Sequence, residues 1–280
     1  MTTILDGKTL SEKLLNNIKE EITQNNYKPS LAVIIVGQDP ASQIYVKRKN
    51  ETAQLLGINS QLLSFPETIT QSELETEIKK LAEDKNTHAI LVQLPLPKHI
   101  DTQRIIEAIP PQKDVDGFHP YNLGRLFSGN TPCATACTPK GIMTLLKEYN
   151  IDVTGKNVVI VGRSTIVGKP LASLFINSNA TVTICHSKTK NLKEICKTAD
   201  ILVSAIGKPK FFNKEFVKNN AIVIDVGINR NTDNKLVGDI DFEDVKDETS
   251  YITPVPKGVG PMTIATLMQN TLDLYKNFAK

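Results

Sequence analysis

Tryptophan is absent from the chain, aromatic residues make up 5% of it, and cysteine occurs four times. Cys133, Cys137, Cys185 and Cys196 match no zinc-ligand spacing, and their number is too small for a disulfide framework in a chain of this size. Free, reduced thiols in a cytoplasmic protein are the expectation. Cys185 has a histidine beside it, His186, but successive residues of a strand point to opposite faces, so the two make a poor chelate and no metal site is expected. Long apolar runs are also missing. The stretch from Ala221 to Val226 is strand-length, which predicts no membrane span. The N-terminal Met-Thr-Thr-Ile-Leu-Asp-Gly-Lys carries no basic region followed by an apolar core, so no secretory leader is expected. A formal net charge of +3 with no Lys/Arg-dense arm argues against nucleic acid as a partner, yet suits a small anionic ligand.

What is present is an ordinary globular balance, 40% hydrophobic and 22% charged over 280 residues, with room for two cores. Leu10, Leu14, Leu15, Ile18 and Ile22 form one helical stripe. A strand over 31–36, a helix from Pro40 to Gly57 and a strand over 60–65 follow. Thr70 and Glu73 are spaced as a capping box ahead of Leu74, Ile78 and Leu81. A buried strand over 89–94 runs into Pro95-Leu96-Pro97, and a helix over about 102–109 ends at Pro110-Pro111. Residues 128–137 are small and polar and read as a connection. Thr138 with Pro139 then predicts a helix start. A second series begins at Asn157, with strands over 157–161, 181–185, 200–206 and 221–226, and the last helix starts at Pro261. Short apolar strands alternating with helices imply α/β architecture, with parallel sheets covered on both faces.

Two stretches carry chemistry. In Asp39-Pro40-Ala41-Ser42-Gln43-Ile44-Tyr45-Val46-Lys47-Arg48-Lys49, Asp39 suits an N-cap and Pro40 the first helical turn. Tyr45 and Lys49 then share one face, near the start of the helix and at the sheet edge where open α/β sheets bind ligands. Taken alone, the pair also fits an ordinary half-exposed helix face. The second stretch is the strand 157–161 entering Gly162-Arg163-Ser164-Thr165-Ile166-Val167-Gly168. Strand, glycine turn and helix aim backbone amides at a pyrophosphate. The fingerprint is imperfect, since Ser164 takes the place of the middle glycine and the last glycine comes late. At the end of the next strand an NAD site would want a carboxylate, and Cys185-His186-Ser187-Lys188-Thr189 has none. Hydroxyl and cationic groups there, with Arg163 in the turn, suit a 2′-phosphate and therefore NADP.

The segments Asp39-Pro40-Ala41-Ser42 with Tyr45 and Lys49, Val92-Gln93-Leu94-Pro95-Leu96-Pro97, Lys113-Asp114-Val115-Asp116-Gly117-Phe118 and Pro254-Val255-Pro256 through Gly260-Pro261-Met262-Thr263 occur in this order over nearly the whole chain. Together they resemble the bifunctional methylenetetrahydrofolate dehydrogenase/methenyltetrahydrofolate cyclohydrolases. The resemblance implies two α/β domains with a cleft between them. A folate-binding catalytic domain would take residues 1–138 with 262–280, and a Rossmann-like, doubly wound NADP-binding domain residues 139–261. It implies NADP-dependent oxidation of 5,10-methylenetetrahydrofolate, hydrolysis of the methenyl product to 10-formyltetrahydrofolate, a place in one-carbon metabolism and purine biosynthesis, and a homodimer. Lys49 would be the catalytic amine beside Gln93, with Tyr45 against the folate, Asp116 on the pterin and Pro261 lining the substrate site. Gly162, Arg163, Ser164, Ser187 and Ile228 would hold the cofactor. A monofunctional relative with one of the two activities is the rival reading, and both residue sets being intact speaks against it. Three departures stand out, one of them the atypical composition of the segment around Cys133 to Cys137. Lys257 occupies a position usually held by glycine, and Glu51 one often held by lysine.

Overall fold

The computed structural model describes residues 1–130 and 132–278, so Thr131 of the predicted connection and Ala279 and Lys280 of the predicted folate domain lie outside the described residues. The chain begins with β1 (Thr3–Ile4), α1 (Gly7–Gln24), β2 (Ser30–Val36), α2 (Pro40–Leu55), β3 (Asn59–Phe65), α3 (Gln71–Glu83) and β4 (Ala89–Val92). It continues through α4 (Thr102–Ala108), α5 (Pro120–Phe127), α6 (Cys137–Glu148), β5 (Asn157–Val161), α7 (Gly168–Asn177), β6 (Thr181–Cys185) and α8 (Leu192–Cys196). The remaining elements are β7 (Ile201–Ser204), β8 (Ala221–Asp225), β9 (Asn229–Arg230), β10 (Leu236–Val237), α9 (Phe242–Val245), β11 (Thr249–Ile252) and α10 (Val259–Phe278).

Two compact units result. One comprises Lys13–Arg125, Asn130–Thr135 and Leu267–Lys280, and the other Met1–Glu12, Leu126–Gly129 and Ala136–Thr266. The first is built on a parallel three-stranded sheet of order β3-β2-β4. Its central strand is apolar on both sides because both sides are covered, and every residue of Ser30–Val36 is buried. Ala32, Ile34 and Val36 pack with Leu74 and Ile78 of α3 and Ile105 of α4. α3 begins as its sequence predicts. The Thr70 side chain accepts the Glu73 amide while the Glu73 carboxylate accepts the Thr70 amide, so two otherwise orphaned donors are satisfied.

The other unit holds a six-stranded parallel sheet of order β1-β11-β8-β7-β5-β6. Val159 and Val161 of β5 join one core with Leu202, Val223 and Ile252, while Val158 and Ile160 are fully buried on the opposite face. A sheet buried on both faces is the doubly wound arrangement. The chain leaves β5 outward to β6 and returns to β7 on the far side of β5, so the strand order reverses between β5 and β7. Ligands of open α/β sheets bind at the carboxyl ends of such a switch point.

Several elements escape the sequence reading: the paired strands β1 and β11, the short β9–β10 ribbon, α5 and α9. The predicted cap of α6 is corrected. Ala136 takes the N-cap position and Thr138 lies inside the first turn, where its hydroxyl hydrogen-bonds that of Thr263 at 2.8 Å. All four cysteines are free thiols. Burial pushes the Cys196 thiol up to about 12, with Cys185 nearby adding to the effect, so this sulfur is inert. Among the described residues no helix is long and apolar enough to cross a membrane.

Candidate active and nucleotide sites

In the three-stranded unit, β2 ends at Gly37, whose φ of +84° turns the chain out of the sheet. Asp39 then accepts the Ser42 amide at 2.8 Å with Pro40 in the first turn, and α2 starts. Tyr45 and Lys49 share a face, as the spacing predicts, with the Lys49 amine 6.0 Å from the centre of the Tyr45 ring. They sit further along the helix than expected, Lys49 lying about 13 Å from its start at the rise of an α-helix. Its side chain still works at the sheet edge, because helical Cα–Cβ bonds tilt toward the N-terminus and the four-carbon stem adds reach.

What the stem reaches is Gln93. Lys49 is 8% exposed, and its Nζ donates to Gln93 Oε1 at 3.0 Å. The Gln93 amide is oriented by its own second bond, Nε2 donating to the Leu94 carbonyl at 2.7 Å, which leaves the oxygen to face the amine. Its backbone N–H continues the ladder by donating to Ile34 at 2.8 Å. Burial raises the Tyr45 phenol, with Arg48 pulling it back, so Tyr45 presents a neutral aromatic face.

Asp116 comes to the same end of β4 by a different route. The Lys113 carbonyl accepts the Ile90 amide at 2.7 Å, docking the loop on the strand. The Asp114 carboxylate, 2% exposed, accepts the amides of Gly117 (3.0 Å) and His119 (2.9 Å) and the Asn122 side chain (2.9 Å). Gly117 takes φ +67°, which only a glycine adopts without cost. The half-buried Asp116 thus lines a small cavity with Val92, Leu94 and Phe118. Asp114 and Asn122 are the residues here that sequence reasoning missed, and an aspartate three residues before a glycine was the available signal. Glu51 forms an exposed pair with Lys47 at 3.9 Å, a contact of little energetic weight.

Pro261 and the five cofactor candidates belong to the six-stranded unit. Gly162 follows β5 with φ +131°, and a Cβ on it would lie 2.5 Å from the Ala205 carbonyl oxygen. A Cβ on Gly168, which opens α7, would lie 2.0 Å from the Gly162 oxygen. The turn is therefore closed by backbone-to-backbone approach, the geometry that lets main-chain amides reach a pyrophosphate. Ser164 has a second task, since its Oγ accepts the amides of Val167 (3.1 Å) and Gly168 (3.4 Å) and so braces the turn. The Gly162 amide donates to Cys185 at 2.9 Å, which sets Arg163 beside the turn carrying Ser187. Arg163 and Ser187 are exposed there, and that turn holds no carboxylate. Ile228, 48% exposed, follows β8 on the other side of the switch point.

Lys257 lies in the loop before α10 with φ +83°. Its side chain is exposed, and its carbonyl accepts the Lys8 amide at 2.9 Å. A side chain in this left-handed conformation costs on the order of 1 kcal/mol. Lys257→Gly is expected to raise stability by up to about 1 kcal/mol, less whatever freedom the glycine adds to the unfolded chain. Urea unfolding checks this, and a lower midpoint would show that the lysine side chain contributes more than its backbone costs.

A glycine turn at the switch point of a parallel sheet defines a dinucleotide-binding α/β protein, here with a second α/β unit carrying a buried amine at its sheet edge. Family comparison names the class further. Residues 136–279 match the NAD(P)-binding domain of tetrahydrofolate dehydrogenase/cyclohydrolase, and residues 5–116 match the catalytic domain of the same enzyme. The chain belongs to the tetrahydrofolate dehydrogenase/cyclohydrolase family. It is 55% identical to the bifunctional protein FolD of Nautilia profundicola, the match covering 99% of each. Among solved structures, FolD methylenetetrahydrofolate dehydrogenase/cyclohydrolase of Campylobacter jejuni superposes with a TM-score of 0.97 at 48% identity, over 99% of both chains. The Trypanosoma brucei enzyme, complexed with NADP cofactor and an inhibitor, gives 0.95 at 36% identity, covering 100% of this chain and 99% of its own.

Proposed function

We infer that this chain catalyses both family reactions: oxidation of 5,10-methylenetetrahydrofolate with NADP, then hydrolysis of the 5,10-methenyl product to 10-formyltetrahydrofolate. The observation that carries the reading is the buried Lys49 amine on the Gln93 amide, in a chain that also keeps the glycine turn. Relatives at this level of identity bear the bifunctional name, which speaks against a chain with one activity alone.

The residues present fit a dinucleotide, because the Gly162–Gly168 approach would be filled by any side chain. When bound, NADP supplies the hydride acceptor of the first reaction. Gly162, Ser164 and the start of α7 would hold its pyrophosphate, Arg163 and Ser187 its 2′-phosphate, and Ile228 would cover an apolar portion. For hydrolysis, water adds to the methenyl carbon and loses one proton to solvent; the carbon–N5 bond then breaks, N5 takes up a proton, and the added hydroxyl gives up its own as the formyl carbonyl forms. Lys49 is assigned to move those protons, with Gln93 aiming the amine. Asp116 would accept from the pterin N–H donors and Tyr45 would stack on the folate, with Pro261 at the substrate as well. The division of labour assigns folate to residues 1–138 with 262–280 and NADP to 139–261, β1 joining the sheet of the latter. This reading also includes a cytoplasmic homodimer serving purine biosynthesis. The exposed Leu55 and the edge-strand Leu62 offer an apolar face for the dimer.

Purified protein given methylenetetrahydrofolate and NADP should form NADPH, and given the methenyl compound should consume it faster than buffer does. Absence of either would remove that reaction from the reading. Arg163→Ala is expected to raise the KM for NADP at least about 10-fold, a charge-assisted contact being worth roughly 1.5–3 kcal/mol, while use of NAD changes little. Equal losses with the two cofactors would refute the 2′-phosphate assignment.

A further inference from the structure

Two buried carboxylates lie at the carboxyl ends of β7 and β8, and neither belongs to the residue sets above. Asp239, fully buried, accepts five hydrogen bonds. Its Oδ2 takes the Ser204 hydroxyl (2.9 Å) and the amides of Ile206 (2.8 Å) and Gly207 (3.2 Å). Its Oδ1 takes the Lys208 amide (2.8 Å) and the Asn229 side-chain amide (2.9 Å). Asp225, 3% exposed, accepts the amides of Gly227 (2.9 Å), Asp239 (3.0 Å) and Ile240 (2.9 Å). Two glycines make room for the pair. A Cβ on Gly227 would lie 2.3 Å from Asp239 Oδ1, and one on Gly238 would lie 1.8 Å from Asp225 Oδ2.

The loops tied here lie on the β7–β8 side of the switch-point crevice, across from the Gly162 turn. Residues 205–208 follow β7, and the Ala205 oxygen is the atom that a Cβ on Gly162 would strike. Residues 227–229 follow β8 and carry Ile228. Five donors from two loops and a strand end converge on one carboxylate, which takes the amides of residues 206–208 just beyond the end of β7. We propose that Asp239 is a positioning residue for the NADP reaction: its carboxylate holds the 205–208 loop against the Gly162 turn and, through Asn229, sets Ile228 at the cofactor. Asp225 aligns Asp239 by taking its backbone amide. Burial pushes the Asp225 carboxyl up to about 7, with Asp239 adding to the effect and the three amides opposing it. This assignment rests on the reading of the glycine turn as the nucleotide site.

The test measures NADP binding by calorimetry and both activities, for the unmodified chain, Asp239→Asn and Asn229→Ala. Asp239→Asn keeps the shape but turns an NH2 toward N–H donors. It should raise the KM for NADP at least about 10-fold, while kcat for methenyl hydrolysis stays within about twofold per folded molecule. Asn229→Ala removes one donor and leaves four, so it should fold normally and raise the same KM about three- to tenfold. If Asp239→Asn fails to fold, Asn229→Ala decides alone. A folded Asn229→Ala protein with an unchanged KM for NADP overturns the proposal, as does a parallel loss of both activities in a folded Asp239→Asn. Failure of the unmodified chain to bind NADP would instead sink the nucleotide-site reading itself.

Discussion

Methionine in place of Lys49 is expected to slow methenyltetrahydrofolate hydrolysis by about 10²–10⁴-fold, the range that a positioned acid–base group contributes. Methionine keeps an unbranched stem of similar length, so the wall of α2 stays filled and only the amine is lost. Folate binding should remain within a few-fold, because Tyr45 and Asp116 stay in place. Gln93 Oε1 loses the hydrogen bond that it accepts from Nζ at 3.0 Å, worth about 0.5–1.5 kcal/mol, so a modest fall in melting temperature should accompany the kinetic loss. Undiminished hydrolysis by folded Lys49→Met protein would take the amine out of the mechanism.

Alanine in place of Gly168 should act on the other half of the chemistry. The added carbon would lie 2.0 Å from the Gly162 oxygen and 2.7 Å from its carbonyl carbon, both backbone atoms that cannot swing away as a side chain could. Either the turn opens or α7 shifts, at a cost of about 1–3 kcal/mol for overpacking of this kind. The amides at the start of α7 then lose their aim, and NADP affinity should fall at least about 100-fold, while hydrolysis per folded molecule persists. Gly124→Ala is the matched control. Nothing lies within 4 Å of its added carbon, and alanine is the better helix former, so neither activity should change. Retained NADP affinity in the Gly168→Ala protein would mean that the turn is not the pyrophosphate cradle.

The sequence was most informative where structure is set by near neighbours. Asp39 and Pro40 start α2, the Thr70–Glu73 box starts α3, and the strand–glycine–helix run over 157–168 folds as that run predicts, because each depends on contacts within a few residues. What escaped depends on distant partners. Thr3 pairs with Tyr251, and two-residue strands carry no periodicity to detect. Thr138 looked like a cap, but its hydroxyl is taken by Thr263, and Ala136 occupies the N-cap position. For the site, Lys49 and Tyr45 were legible as a shared helix face, whereas the meeting of Lys49 with Gln93 came from family resemblance alone. Asp239 was invisible, since its donors are spread over residues 204–229 and no spacing rule links them.

The proposed chemistry needs the Lys49 amine at the reacting carbon of folate and the Gly162–Gly168 turn on the cofactor whose nicotinamide receives the hydride. A crystal structure with NADP and a non-reactive folate analogue tests it most directly. Lys49 Nζ is expected within hydrogen-bond distance of the pterin side of the analogue, the Asp116 carboxylate on the pterin N–H groups, and the pyrophosphate on the amides around Gly162 and Gly168. An analogue bound away from Lys49, or a pyrophosphate seated on other backbone, would contradict it.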